Sequence, residues 1–137
     1  MSWSVLVVDD EPMARTLLRL MLVRAGFEVH EAEDGYDALE KVQRHLPAVI
    51  ILDVMMPGLD GFAVCERLRA THATAHVPVI MLSAKIDLDS VNRGLRAGAT
   101  KYLTKPVSPE ELTRNVNDVL RGLNGTPGTT GSESSVE

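Results

Sequence analysis

The stretch Ala48-Val49-Ile50-Ile51-Leu52-Asp53-Val54-Met55-Met56-Pro57-Gly58 decides the fold of this chain. The uninterrupted apolar run Ala48 to Leu52, rich in β-branched residues and followed by a Pro-Gly turn, is the mark of a strand covered on both faces, as in a parallel sheet. Its last apolar residue leads straight into a carboxylate. Working outward, the same signal recurs upstream at Val5 to Val8 and downstream at Val77 to Leu82, with weaker runs around Val29 and at Tyr102-Leu103.

Helical periods fill the gaps. Ala14, Leu17, Leu18, Met21, Leu22 and Ala25 form one apolar stripe with Arg15, Arg19 and Arg24 mostly off it, and Gly26 stops the helix. Further stripes are expected at Ala38, Leu39, Val42 and Leu46, at Phe62, Cys65 and Leu68, and at Leu88, Val91 and Leu95 closed by Gly98. In the last helix Ser108 caps, Pro109 takes the first helical position, Glu111 completes a capping box, and Leu112, Val116, Val119, Leu120 and Leu123 form the stripe. Five strands alternating with five helices predict an α/β, doubly wound (βα)5 architecture: a five-stranded parallel sheet with helices on both faces. Ligands in such folds bind beyond the carboxyl ends of the strands.

The residues at those ends are Asp9-Asp10-Glu11, Asp53, Ser83-Ala84 and Lys105-Pro106. Asp9, Asp10 and Asp53 bring three negative charges together and Lys105 one positive charge, a costly arrangement that a divalent cation relieves. An all-oxygen donor set without Cys or His suits Mg²⁺ and argues against zinc. Taken singly, each residue has an ordinary reading: Asp10 before Glu11-Pro12 could start the first helix, Asp53 could belong to a turn, and Lys105 could be a solvated lysine. Their joint placement at successive strand ends favours a site.

Composition bounds the rest. A chain of 137 residues, 45% hydrophobic and 24% charged, has room for one ordinary domain. Its net charge of −5 argues against a nucleic-acid surface. There is no apolar run long enough to span a bilayer and no signal-peptide pattern, so a cytoplasmic protein with no membrane association is expected. Cys65, the single cysteine, is expected to serve packing. The side chains of Met13, Met21, Met55, Met56 and Met81 read as core or turn filling with no cofactor role, and no metal role is expected for His72 and His76. Ten of residues 123–137 are Gly, Pro, Ser or Thr, which predicts a folded domain over residues 1–122 followed by a flexible tail or interdomain linker.

The order Val-Leu-Val-Val-Asp-Asp-Glu-Pro, Ile-Ile-Leu-Asp-Val-Met-Met-Pro-Gly, Val-Ile-Met-Leu-Ser-Ala and Lys-Tyr-Leu-Thr-Lys-Pro resembles the CheY-like receiver domain of two-component response regulators, over roughly residues 3–121. The resemblance implies the flavodoxin-like strand order 2-1-3-4-5. It makes Asp53 the phosphoacceptor, served by Lys105 and Ser83. Mg²⁺ would be bound by Asp10, Asp53 and the backbone carbonyl of Met55, with Asp9 acting through water. Tyr102 becomes the aromatic switch residue alongside Ser83, and the peptide bond before Pro106 is expected to be cis.

Implied partners are a sensor histidine kinase or phosphotransfer protein, with Met13, Ala14, Leu17 and Leu18 on the first helix as a candidate docking surface. A downstream protein target, or a C-terminal output domain beyond the chain, would read the face formed by the fourth helix, fifth strand and fifth helix. A phosphorylation-dependent dimer is also implied, although Thr100 and Lys101 stand where a large DNA-binding subgroup carries acidic residues, which puts that subgroup's dimer in doubt. Such a domain is not a turnover enzyme; it catalyses only its own phosphorylation and autodephosphorylation. An apolar Met55, and Lys85 two residues beyond Ser83, flank the water route, and Met55 is compatible with slow hydrolysis. The alternatives are a Mg²⁺-dependent aspartyl-phosphate phosphohydrolase, which usually has an acid where Met55 stands, and a non-phosphorylated scaffold.

Overall fold

Every apolar run identified above becomes a strand. In the computed structural model, which describes residues 3–122, the order is β1 (Ser4–Val8), α1 (Pro12–Arg24), β2 (Glu28–Ala32), α2 (Gly35–Arg44), β3 (Val49–Asp53), α3 (Gly61–Ala70), β4 (Val79–Ser83), α4 (Leu88–Ala97), β5 (Lys101–Thr104) and α5 (Pro109–Leu120). The strands form one parallel sheet in the order β2-β1-β3-β4-β5, as the resemblance implied. The expected flexible tail, and Leu123 of the last stripe, lie outside the described residues.

Residues of alternate parity along each strand point to opposite faces, and this divides the core in two. Val5, Val7, Ile51, Ile80 and Leu82 meet Leu18 and Leu22 of α1 and Leu112, Val116 and Val119 of α5. Leu6, Val8, Ile50, Leu52 and Met81 meet the opposite layer, with Ala38 and Val42 of α2, Phe62, Cys65 and Leu68 of α3, and Ala97 of α4. Strands β3 and β4 are buried throughout, which is why they read as continuous apolar runs. Cys65 is free and buried among these side chains, in keeping with a packing role.

Four helices start with the same device. Asp34, Asp60, Asp87 and Ser108 each accept a hydrogen bond from the backbone N–H three residues later, closing the first turn of α2, α3, α4 and α5. Helix α1 starts at Glu11, whose Oε1 accepts from Met13 N–H at 2.8 Å. Asp10 is therefore not the cap of this helix.

Two helices depart from the expected faces. On α1 only Leu18 and Leu22 are fully buried; Leu17 is 55% exposed and Ala25 lies outside, because the helix packs at the β2 edge and leaves its flank open. Arg15, expected off the stripe, is half-buried instead, donating to the Asp9 carbonyl at 2.8 Å and to Glu31 at 3.0 Å. On α4 the Leu88 and Leu95 side chains face solvent, and Gly94 and Ala97 face the sheet. A Cβ on Gly94 would stand 2.8 Å from the Tyr102 ring and 2.9 Å from the Met81 sulfur, so α4 approaches through its small residues. Leu46 lies beyond the end of α2 and is exposed. No described helix is long and apolar enough to cross a membrane.

Candidate functional site

The carboxyl ends of β1, β3, β4 and β5 gather the polar residues that the sequence places there. Asp9 is fully buried after β1: its Oδ1 accepts from Glu11 N–H at 2.9 Å and its Oδ2 meets Lys105 Nζ at 3.1 Å. Asp53 closes β3 and is 6% exposed; its Oδ1 accepts from the same ammonium at 3.2 Å and from Met55 N–H at 3.4 Å. Asp10 is exposed beside them, and one carboxylate oxygen from each of the three aspartates lies within 4.8 Å of the others. Lys105 precedes a cis bond to Pro106, in line with the expectation for that peptide bond.

A single ammonium does not balance this cluster. Burial, and then the neighbouring Asp9 charge, hold the Asp53 carboxyl above its ordinary range although Lys105 pulls the other way. Burial alone would lower the Lys105 pKa, but Asp53 and Asp9 outweigh it and hold the ammonium above its usual value. Two buried carboxylates share one cation while a third carboxylate faces solvent. The residual negative charge and the all-oxygen donor set fit a small hard dication such as Mg²⁺.

Ser83 ends β4 and is 1% exposed; its Oγ accepts from Lys85 N–H at 3.0 Å. The Lys85 carbonyl in turn accepts from the Tyr102 hydroxyl at 2.8 Å, with the Tyr102 ring lying on Gly94. The backbone of Lys85 thus joins the hydroxyl at the site to the aromatic residue of β5. A groove of about 590 Å³ opens between the loops after β3 and β4, bordered by Met55, Pro57, Lys85 and Arg93. Arg93 lies 4.4 Å over the Phe62 ring, which ties α4 to α3 beside this groove.

All of the expected site residues occupy this sheet edge; His72 and His76 lie exposed on the turns after α3. Two supporting roles were missed in the sequence. Arg15 holds the Asp9 carbonyl from α1, and Gly61 lets α3 begin against the end of β3: a Cβ there would lie 2.6 Å from the Asp53 carbonyl oxygen. The Asp60-Gly61 dipeptide carried the signal for the second, since a cap followed by glycine marks a close backbone approach. Nothing in the sequence marks Arg15 for its role.

The family profile "Response regulator receiver domain" matches residues 5–117. The chain belongs to this family. The alkaline phosphatase synthesis transcriptional regulatory protein PhoP of Bacillus subtilis (strain 168) is 44% identical over 121 residues, covering 88% of this chain and 50% of that protein. The DNA-binding dual master transcriptional regulator RpaA of Synechocystis sp. is 38% identical, covering 90% of this chain and 51% of its own length. The chain therefore spans about half the length of these curated relatives. Among solved structures, the chemotaxis protein CheY4 of Vibrio cholerae superposes with a TM-score of 0.83 at 35% identity, covering 87% of this chain and 99% of that one. The Francisella response regulator 1452 receiver domain gives 0.82 at 34% identity, covering 88% and 98%. The fold is accordingly the CheY-like, flavodoxin-like one. This receiver domain is a signalling domain of two-component systems, a class that interacts with histidine kinases and generally binds Mg²⁺ at acidic residues.

Proposed function

We propose that Asp53 is the phosphoacceptor of this receiver domain and that its phosphorylation remodels the face built from α4, β5 and α5. The observation that carries this reading is the Lys105 ammonium bridging buried Asp9 and Asp53 at 3.1 and 3.2 Å beside exposed Asp10. Asp10, Asp53 and the Met55 backbone carbonyl would hold Mg²⁺, with Asp9 acting through water. When bound, the ion supplies neutralisation of the phosphoryl oxygens.

The chain's own groups account for the rest. Asp53 Oδ1 is held by Lys105 and Met55 N–H, which leaves Oδ2 for attack. In transfer from a phosphohistidine, the Oδ2–P bond forms as the N–P bond breaks, and the released imidazole takes its proton from water. Lys105 offers its positive charge to a phosphoryl oxygen, and the Ser83 hydroxyl donates to another. Turning that hydroxyl toward Asp53 withdraws it from Lys85 N–H, loosens the loop whose carbonyl holds the Tyr102 hydroxyl, and lets the ring change position. The domain is no turnover enzyme in this reading; it catalyses its own phosphorylation and dephosphorylation.

The phosphodonor would be a histidine kinase or phosphotransfer protein docking on α1, where Met13 and Leu17 are 78% and 55% exposed. Leu18, expected on that surface, is buried and drops out of it. Residues 1–122 form the receiver in this reading and residues 123–137 lead to an output domain, or the altered face engages a separate cytoplasmic target. If the domain dimerises on phosphorylation, Lys101 is already engaged within its own chain, with Asn115 at 2.8 Å and Asp118 at 3.5 Å. Incubation with acetyl phosphate and Mg²⁺, followed by intact mass, tests the central assignment. One phosphoryl group should appear on the wild type and none on Asp53→Asn; equal labelling of both would end it.

A further inference from the structure

We propose that Glu28, His30 and His45 form a second metal site, one for a divalent d-block cation of the Zn²⁺ class, at the end of the sheet opposite the aspartate cluster. Glu28 and His30 share one face of edge strand β2, and His45 caps the C-terminus of α2, the helix that covers that face. Glu28 Oε2 lies 2.7 Å from His30 Nε2 and 4.0 Å from His45 Nε2, and one ligand atom from each of the three residues lies within 4.8 Å of the others. A tetrahedral ion with bonds of 2.0–2.1 Å needs donors about 3.4 Å apart. The present spacings bracket that value.

The surroundings favour an ion here. The three side chains are 44–56% exposed, so modest rotations bring them to ligand spacing without unpacking any core. The two imidazole rings stand 4.8 Å apart and tilted by 47°, and Ser4 Oγ lies 3.3 Å from His45 Nε2. His45 sits where the last carbonyls of α2 place partial negative charge, which attracts a cation. Lys41 and Arg44 border the adjoining cavity of about 260 Å³, but each is paired with a carboxylate one turn earlier, Asp37 at 3.2 Å and Glu40 at 3.0 Å. Two imidazoles and one carboxylate leave a fourth position open to water, and this donor set suits Zn²⁺ where the all-aspartate cluster suits Mg²⁺.

The test is calorimetric titration of the untagged, chelator-stripped chain with ZnCl₂ in excess Mg²⁺, which keeps the aspartate cluster filled. One Zn²⁺ per chain is expected, with a melting temperature that rises on addition and returns with chelator. His30→Ala and His45→Ala should each weaken binding about tenfold or more, equal to the loss of one ligand. Asp53→Asn should leave it unchanged. Absence of Zn²⁺ binding, or affinity kept within about twofold in either histidine variant, overturns the proposal; a circular dichroism spectrum like wild type confirms that these exposed substitutions leave the fold intact.

Discussion

Gly61→Ala places a methyl group where the structure has none to spare. The added Cβ would meet the Asp53 carbonyl oxygen at 2.6 Å, the Val54 Cα at 2.8 Å and the Asp53 carbonyl carbon at 3.2 Å, all of them backbone atoms that no side-chain rotation can move. Merely reaching 3.0 Å requires the start of α3 and the end of β3 to part by roughly 0.4 Å, and ordinary contact requires about twice that. Overpacking of this kind costs about 1–3 kcal/mol, while alanine's better helix propensity returns at most about 1 kcal/mol. A net loss of about 1–2 kcal/mol follows, which for a domain of this size lowers Tm by roughly 3–10 °C. The functional effect should be larger in proportion, because the atoms displaced belong to Asp53 itself. A misplacement approaching 1 Å can cost about 100-fold in rate, so phosphorylation from acetyl phosphate should slow by about tenfold. Urea melts and the rate of mass gain measure the two effects. Gly26→Ala is the contrast: its φ of +97° makes alanine strained with nothing within 4 Å to collide with, so it should cost stability and spare the rate. A Gly61→Ala protein as stable and as fast as wild type would refute the packing argument.

The remaining expectations follow from single contacts. Lys105→Met leaves Asp9 and Asp53 facing one another without a cation; the loss should be about 2 kcal/mol, less than the roughly 3–5 kcal/mol of a fully buried pair because the ammonium is 29% exposed, and an unchanged urea midpoint would count against it. For Asp53→Asn without divalent cations, the sign follows from a folded-state pKa raised by burial above the carboxyl's ordinary value of 3.8: the native state binds the proton more tightly, so wild-type stability falls as pH rises through that window and stays low above it. The stability advantage of Asp53→Asn should therefore grow as pH rises from about 4 and then level off; melts across pH showing an advantage that shrinks would contradict the burial account. Tyr102→Phe removes the bond to the Lys85 carbonyl and should cost about 0.5–1 kcal/mol in urea melts while leaving the phosphorylation rate within about twofold.

The sheet was legible because burying a strand on both faces forces it to be apolar without interruption, and β1, β3 and β4 are buried on both faces. The site was legible for the same reason: once the strand ends are known, Asp9, Asp53, Ser83 and Lys105 have one place to go. Helix faces were less so. The stripe of Leu88, Val91 and Leu95 has the right period, but period identifies a face without saying which way it turns, and on α4 the close approach belongs to Gly94 and Ala97. Asp10 had the position of a helix start, but Met13 N–H bonds Glu11 one residue later. A contact joining distant positions left no local trace at all: His45 lies beside Glu28 only because α2, a helix of ten residues, returns the chain toward the start of the strand it left.

The geometry also says why a charge change at Asp53 should be felt at β5. Asp53 lies opposite Leu82 in the sheet register and Ser83 lies opposite Thr104, so the site and the face built from α4, β5 and α5 share the ends of two hydrogen-bonded strands. The loop between β4 and α4 is held by side chains at both groups of Lys85: its N–H by Ser83 and its carbonyl by Tyr102. All four residues of that loop, Ala84 to Asp87, are exposed, and it has little burial of its own, so those two bonds carry a large share of its order. Helix α4 follows directly and packs on Tyr102 through a glycine, with no large side chain interlocked at that point. An interface without interdigitation can slide or lift at low cost, whereas the Leu112, Val116 and Val119 contacts of α5 cannot. Redirecting one hydroxyl at Ser83 therefore acts on an exposed, lightly held segment, and the response is confined to one face because the rest of the sheet is packed on both sides.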